Sequence, residues 1–221
     1  MGADSSFRVV IDPNVVFEGL TKQGGAAGLV IDAPIQSRAL EMEDIKSILS
    51  EQLDKSVRDY STRDFGRDKY FDAVSVIVSE ESARSQLEKI RKVLPAGALA
   101  FIGTTRNLSN EEVNGHELVV ILSKDKFDIL RAAASDGINY DLTTEKIIEK
   151  LKAWDRDLEL DIWQAESDTI QMKVQSLPGD LQAFGEEIYE FCPDIVDQGS
   201  GDVEDILEYL KSEKAIYLWW D

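Results

Sequence analysis

The chain has 221 residues, of which 43% are apolar, 8% aromatic and 30% charged, enough apolar content to bury a core without staples and to exclude intrinsic disorder. Acids outnumber bases 43 to 24, and a net charge of −19 works against direct binding to a phosphate backbone. A single cysteine and a single histidine exclude a disulfide framework, cysteine-rich zinc modules and paired-histidine metal sites, and with no long apolar run and no basic leader the sequence predicts a cytoplasmic protein that does not enter a membrane.

Residues 7–11 and 29–31 are apolar runs on either side of Gly24, Gly25 and Gly28, which predicts strands joined by a loop. No Gly-Lys-Ser/Thr ending follows, so the glycines read as turn residues and not as a phosphate cradle. Ile45, Ile48, Leu49 and Leu53 recur at helical spacing and predict a helix over 41–53. The stretch 55–69 carries Arg-Asp pairs at Arg58, Arg63 and Arg67, interleaved with Tyr60 and Phe65, and predicts a solvated hairpin. A strand follows at 71–78, then a helix opened by Ser79, with Ala83, Leu87, Ile90 and Leu94 on one stripe and Pro95 and Gly97 stopping it. Strands at 98–102 and 117–122 pair across a polar loop at 107–115.

Phe127, Leu130 and Ala134 mark a short helix closed by Gly137, and Thr143 caps a longer one carrying Ile147, Ile148, Leu151 and Trp154. Strands at 158–164 and 169–174 turn at Ser167 and Asp168. Pro178 stands near the start of a helix with Leu181, Phe184, Ile188 and Phe191 inward, which Pro193 ends. Asp202 caps the last helix, with Val203, Ile206, Leu207 and Leu210 as its stripe, and 215–220 closes the chain as a strand. The order helix, strand, strand, helix, strand at 41–103 recurs with one extra helix at 143–221. The expectation is an α+β fold of two side-by-side lobes, 1–120 and 121–221, each a mixed or antiparallel sheet with helices on one face, related as a pseudo-repeat.

Chemistry concentrates at the end of the chain. Residues 143–221 hold 20 acids and 7 bases, a net of −13, against 23 acids and 17 bases, a net of −6, in residues 1–142. A solubilising surface and a face for a basic partner or cation both fit. Asp194, Asp197, Asp202 and Glu204, with Gln198 and two glycines, lie in one loop and the helix start behind it; hard cations take such oxygens, while turn hydrogen bonds and helix capping use the same residues. Cys192 follows a helix, where the dipole disfavours a thiolate, and reads as a small buried hydrophobe. His116, in the turn ahead of a strand, reads as solvent-exposed. In the last strand Ile216, Leu218 and Trp220 face one way and Tyr217 and Trp219 the other; both faces are apolar, which predicts a central strand or one covered by a second subunit of a homodimer.

Ile147, Trp154, Asp155, Asp168, Thr169, Leu177, Pro178, Asp180, Ala183, Phe184, Glu187, Tyr189, Phe191, Cys192, Pro193, Asp194, Asp197, Gln198, Gly199 and the terminal Leu218, Trp219, Trp220, Asp221 give the last 100 or so residues a pattern. It resembles the bacterial domain-of-unknown-function family 4253, whose specific marks are the Cys-Pro-Asp loop and the Trp-Trp-Asp end. The pattern departs at Gly185, where alanine is expected. The resemblance implies a soluble bacterial protein with a defined C-terminal fold and a variable N-terminal part, and brings no chemistry with it.

Two functions are expected from this. One is a non-enzymatic acidic binding or regulatory module without a cofactor, for instance an immunity-type neutraliser of a basic toxin domain, with Asp194, Asp197, Gln198, Asp202, Trp219 and Asp221 as candidate binding residues. The other is a carboxylate-based or divalent-metal-dependent hydrolase centred on the Asp194 to Asp202 loop.

Overall fold

β-Branched runs form strands and apolar residues recurring at three and four form helices in the computed structural model, which describes residues 9–12, 15–17, 40–61, 73–105 and 115–221. The chain divides into two compact units, Met1–Ala39 and Leu40–Asp221. The first holds an antiparallel pair, β1 (Val9–Asp12) with β2 (Val15–Phe17). The glycine-rich stretch, the run at 29–31, Arg63, Phe65 and Arg67, and all but the last residue of the expected loop at 107–115 lie outside the described residues.

The second unit runs α1 (Met42–Leu53), β3 (Arg58–Asp59), β4 (Ala73–Val78), α2 (Glu80–Val93), β5 (Ala98–Ile102), β6 (His116–Leu122) and α3 (Asp128–Ala133). A 3₁₀ turn (Ile138–Tyr140), α4 (Thr144–Leu158), β7 (Leu160–Ala165), β8 (Thr169–Val174), α5 (Leu181–Phe191), α6 (Val203–Glu213) and β9 (Ala215–Trp219) complete it. Among the described residues, seven strands form one mixed sheet in the order β3-β4-β6-β5-β7-β8-β9, so the fold is α+β. Every pairing is antiparallel except β5 with β7. Residue 120 lies inside β6, and the sheet passes through that point unbroken.

Side-chain alternation decides where the helices go. Val74, Val76, Ala100, Ile102, Leu118 and Val120 bury against Ile45 and Leu49 of α1 and Leu87 and Ile90 of α2. The alternate residues Ala73, Phe101, Val119 and Ile121 join a second core with α3, α4 and α5 and with Ile162, Ile170, Met172 and Leu218. Each half of the sheet thus carries helices on one face, but the two halves use opposite faces, and β5 and β6 are covered on both.

The halves meet at β5 and β7, where backbone pairing is brief, Ile102 opposite Gln164. Side chains fasten the seam at both ends. Arg91 of α2 donates to Ala100 O at 2.9 Å, to both oxygens of Asp161 at 2.8 and 3.0 Å, and to Ile162 O at 2.6 Å. Beyond the other end, Glu166 accepts from the amide and hydroxyl of Thr105, each at 2.8 Å. The planar guanidinium fork suits such a four-bond task as an ammonium does not.

Several local expectations are corrected. α3 closes at Ala134, in the left-handed region with φ +52°, and not at Gly137. Gly137 is small for another reason: a Cβ there would stand 3.0 Å from the Trp220 indole. Leu158 belongs to the end of α4, after which Glu159, at φ +50°, turns the chain into β7. His116 is the first residue of β6 and is half-buried. Arg58 reaches inward from the edge, where the buried Glu117 carboxylate takes its Nη2 and its Nε (3.0 Å) along with Ser75 Oγ (2.9 Å). β9 is the outermost strand of the sheet and not a central one.

Candidate functional site

The predicted site begins where α5 stops. Asp180 starts that helix by accepting from Ala183 N at 3.0 Å, and Cys192 ends it as C-cap because Pro193 brings no amide hydrogen to continue the ladder. The chain then makes a single π-helical turn, Ile195–Ser200, which Gly201 closes at φ +83°. Asp202 accepts from Glu204 N at 3.1 Å and caps α6, as its position in the sequence predicts.

The side chains of this segment are tied to the end of the chain. Cys192 is fully buried; its thiol donates to Trp219 O at 3.0 Å and its sulfur accepts from Trp219 N at 3.2 Å. A thiol thereby occupies backbone groups on the open edge of β9, where a further strand would otherwise pair. Burial pushes this thiol up to about 12, so it is a proton-bearing structural group at neutral pH.

Asp194 is the hub. Only 3% exposed, it accepts from Tyr140 Oη at 2.5 Å, Gln198 Nε2 at 2.9 Å and the Asp221 amide at 2.9 Å. Burial works to raise its pKa, but the three donors outweigh burial and hold the carboxyl below its ordinary value. The same bond to Asp194, helped by burial, pushes the Tyr140 hydroxyl up to about 12. Asn139 Nδ2 donates to the carbonyl oxygen of Asp221, so the 3₁₀ turn and the Asp194 segment grip the chain end together.

Asp197 points elsewhere and accepts from Tyr189 Oη at 3.0 Å. Of the six predicted residues, Asp194, Gln198 and Asp221 are brought together, Trp219 joins them through its backbone and Cys192, and Asp197 and Asp202 serve separate local bonds. Among the described residues, no three His, Cys, Asp or Glu side chains gather as a metal ion requires. Tyr140 and Asn139, which complete the hub, carry no local signal: they lie 54 residues from Asp194 and 82 from Asp221.

Behind the hub the aromatic residues of the C-terminal pattern form one edge-to-face chain. Phe184 meets Trp154 at 5.2 Å between ring centroids, Trp154 meets Phe191 at 5.5 Å, and Phe191 meets Trp220 at 5.6 Å. Glu187 accepts from Trp154 Nε1 at 2.9 Å and from Lys150 Nζ at 2.6 Å, and these two donors, against burial, keep its carboxyl below the usual range. Gly185 has a packing reason: a Cβ there would come within 2.5 Å of Leu207 Cδ2 and 3.3 Å of Val203 Cγ1, so its absence lets α6 lie close on α5.

Beside this cluster lies an open groove of about 370 Å³, bounded by α5, the π-helical turn, α6 and β9. Its lining is apolar, from Ile188, Ile195, Ile206 and Ile216, with Tyr209 and Tyr217 standing 38% and 37% exposed at its mouth and Asp205 at its side. Tyr209 sits off the buried Leu207–Leu210 stripe of α6; an aromatic on the polar side of a helix is the mark in the sequence that points to it.

Compared with known proteins, residues 117–221 match the model of a family described as a domain of unknown function, DUF4253. The match covers the stretch that carries the Cys-Pro-Asp loop and the Trp-Trp-Asp end. No curated protein and no solved structure matches the chain.

Proposed function

We propose that this chain is a bacterial, cytoplasmic acidic binding module that acts by holding a basic protein partner against its C-terminal half. The observation that carries this reading is the sorting of the acids. Asp194 is buried and fully engaged by donors from its own chain, whereas Asp202, Glu204, Asp205, Glu208 and Glu213 stand exposed on and beside α6. Exposed acids of one sign steer a basic partner and set the salt dependence of its binding. Among the described residues no helix is long and apolar enough to cross a membrane. The test is binding of basic proteins to the immobilised full chain across a salt series. Capture at low salt with release at high salt is expected; no basic partner, or capture indifferent to salt, counts against the proposal.

The hydrolase alternative has less to stand on, because Asp194 and Asp197 accept from different tyrosines. Mg²⁺, Mn²⁺ and Ca²⁺ are expected to leave the melting temperature unchanged, and a clear rise with any of them would revive it.

A further inference from the structure

We propose that the groove between α5, the π-helical turn, α6 and β9 is the docking site of this module, and that it takes a peptide segment of the basic partner with one large apolar side chain flanked by Lys or Arg. The inference rests on the acidic-module reading and names its site and ligand class.

A volume of about 370 Å³ falls at the lower end of the range in which proteins hold ligands, the size of one or two side chains. The floor offers Ile195, Ile206 and Ile216 and almost nothing that hydrogen-bonds, so what enters must be apolar. At the mouth Tyr209 and Tyr217 present large rings, rigid and amphipathic, of the kind that dominate binding hot spots. They are two of the six large hydrophobic residues exposed among those described, and they flank one opening.

Charge selects the rest of the ligand. Residues 195–213, which supply the π-helical turn and α6, contain Asp197, Asp202, Glu204, Asp205, Glu208 and Glu213 against Lys211 as the one base. A second copy of this chain would bring its own charge of −19 and meet repulsion, so the complementary occupant is a different, basic protein. The walls are also held in place before anything binds. Asp194 ties the π-helical turn through Gln198 to the end of β9 through Asp221, and Cys192 holds Trp219. A preformed groove spares the ordering cost that a loose one would add on binding.

The experiment is a phage display of random dodecapeptides panned against the full chain, followed by titration of synthetic versions of the enriched peptides. The expected consensus places an aromatic or large aliphatic residue next to Lys or Arg. With such a peptide, Tyr217→Ser and Ile206→Asp weaken binding about tenfold or more, a hot-spot loss. Asp205→Asn flattens the salt dependence, and Glu149→Gln, exposed on α4 outside the groove lining, changes nothing. Thermal melts show whether each variant is folded, and Tyr217→Ser, at an exposed position, keeps the test valid if Ile206→Asp is not. Enrichment of acidic or neutral peptides, or none at all, overturns the proposal. If purely basic peptides bind as well as those with an apolar residue and Tyr217→Ser leaves them unaffected, the groove is wrong while the acidic module stands. If basic proteins fail to bind as well, both fall.

Discussion

A carboxylate buried with three hydrogen-bond donors is a structural part before it is a chemical one, and Asp194 shows what this means for stability. Asp194→Asn keeps the shape but exchanges an all-acceptor group for one with a competing donor, and is expected to cost about 1–3 kcal/mol, read as a lower urea midpoint at neutral pH. The pH dependence follows from the sign of the shift. The folded carboxyl titrates below its unfolded value, so its contribution is fully present above that value, about 3.9, and is lost as pH falls through the lower folded one. Wild type and Asp194→Asn are therefore expected to converge in stability in acid; an equal gap at every pH would place the carboxylate charge outside the balance. Tyr140 has the opposite sense: its raised hydroxyl contributes below about 10 and loses that contribution as pH climbs toward about 12. Cys192 follows the same rule as Tyr140, and with its thiol buried it is expected to resist a disulfide-exchange reagent in the native protein at mildly alkaline pH and to react fully in denaturant. Rapid native labelling would mean that the edge of β9 opens.

Among the elements, the pair α5 and α6 carries the clearest prediction. Gly185→Ala gains about 1 kcal/mol of helix propensity but drives a methyl into Leu207, an overpacking cost of about 1–3 kcal/mol, so a net loss of stability is expected. Adding Leu207→Ala relieves the crowding, and the double variant is expected to lose less than the sum of the two; strict additivity would show that the helices do not touch there as described. The elements themselves are mostly legible in the sequence, because helical stripes such as Leu87 and Ile90, caps such as Thr143 and Asp202, and β-branched runs such as 73–78 are local signals. What misleads is a local signal with a distant cause. Gly137 reads as a helix terminator, yet it answers to Trp220; two apolar faces on 215–219 read as a central strand, yet the strand is an edge whose outer side is met by Cys192.

Over the whole molecule, the family match and the sheet do not share a boundary. The match begins at residue 117, inside β6, but the sheet partners of β6 are β4 and β5, both upstream of that point. A chain of residues 117–221 alone would leave β6 unpaired and expose the core that Phe101 and Ala73 help to close. It is expected to aggregate or melt without a cooperative transition, whereas residues 40–221, a compact unit, melt cooperatively; circular dichroism melts with size-exclusion chromatography decide it. A cooperative, monomeric 117–221 would mean that β6 is dispensable.

The sequence by itself determined the composition class, the α+β character, most of the elements and the acidic bias of the last third, because each depends on residues near one another or on a sum over the chain. It also carried the resemblance that the family match over residues 117–221 supports. It could not say what this stretch does: whether Asp194, Asp197 and Asp221 converge on a ligand or on one another depends on side-chain directions set by packing across dozens of residues. The tertiary structure decided that Asp194 binds the chain end and Tyr140 while Asp197 turns to Tyr189, and it placed an apolar groove, which no run of residues spells, beside them. Elements are written in neighbouring residues; a site is written in the contacts between elements, and those exist only once the chain has folded.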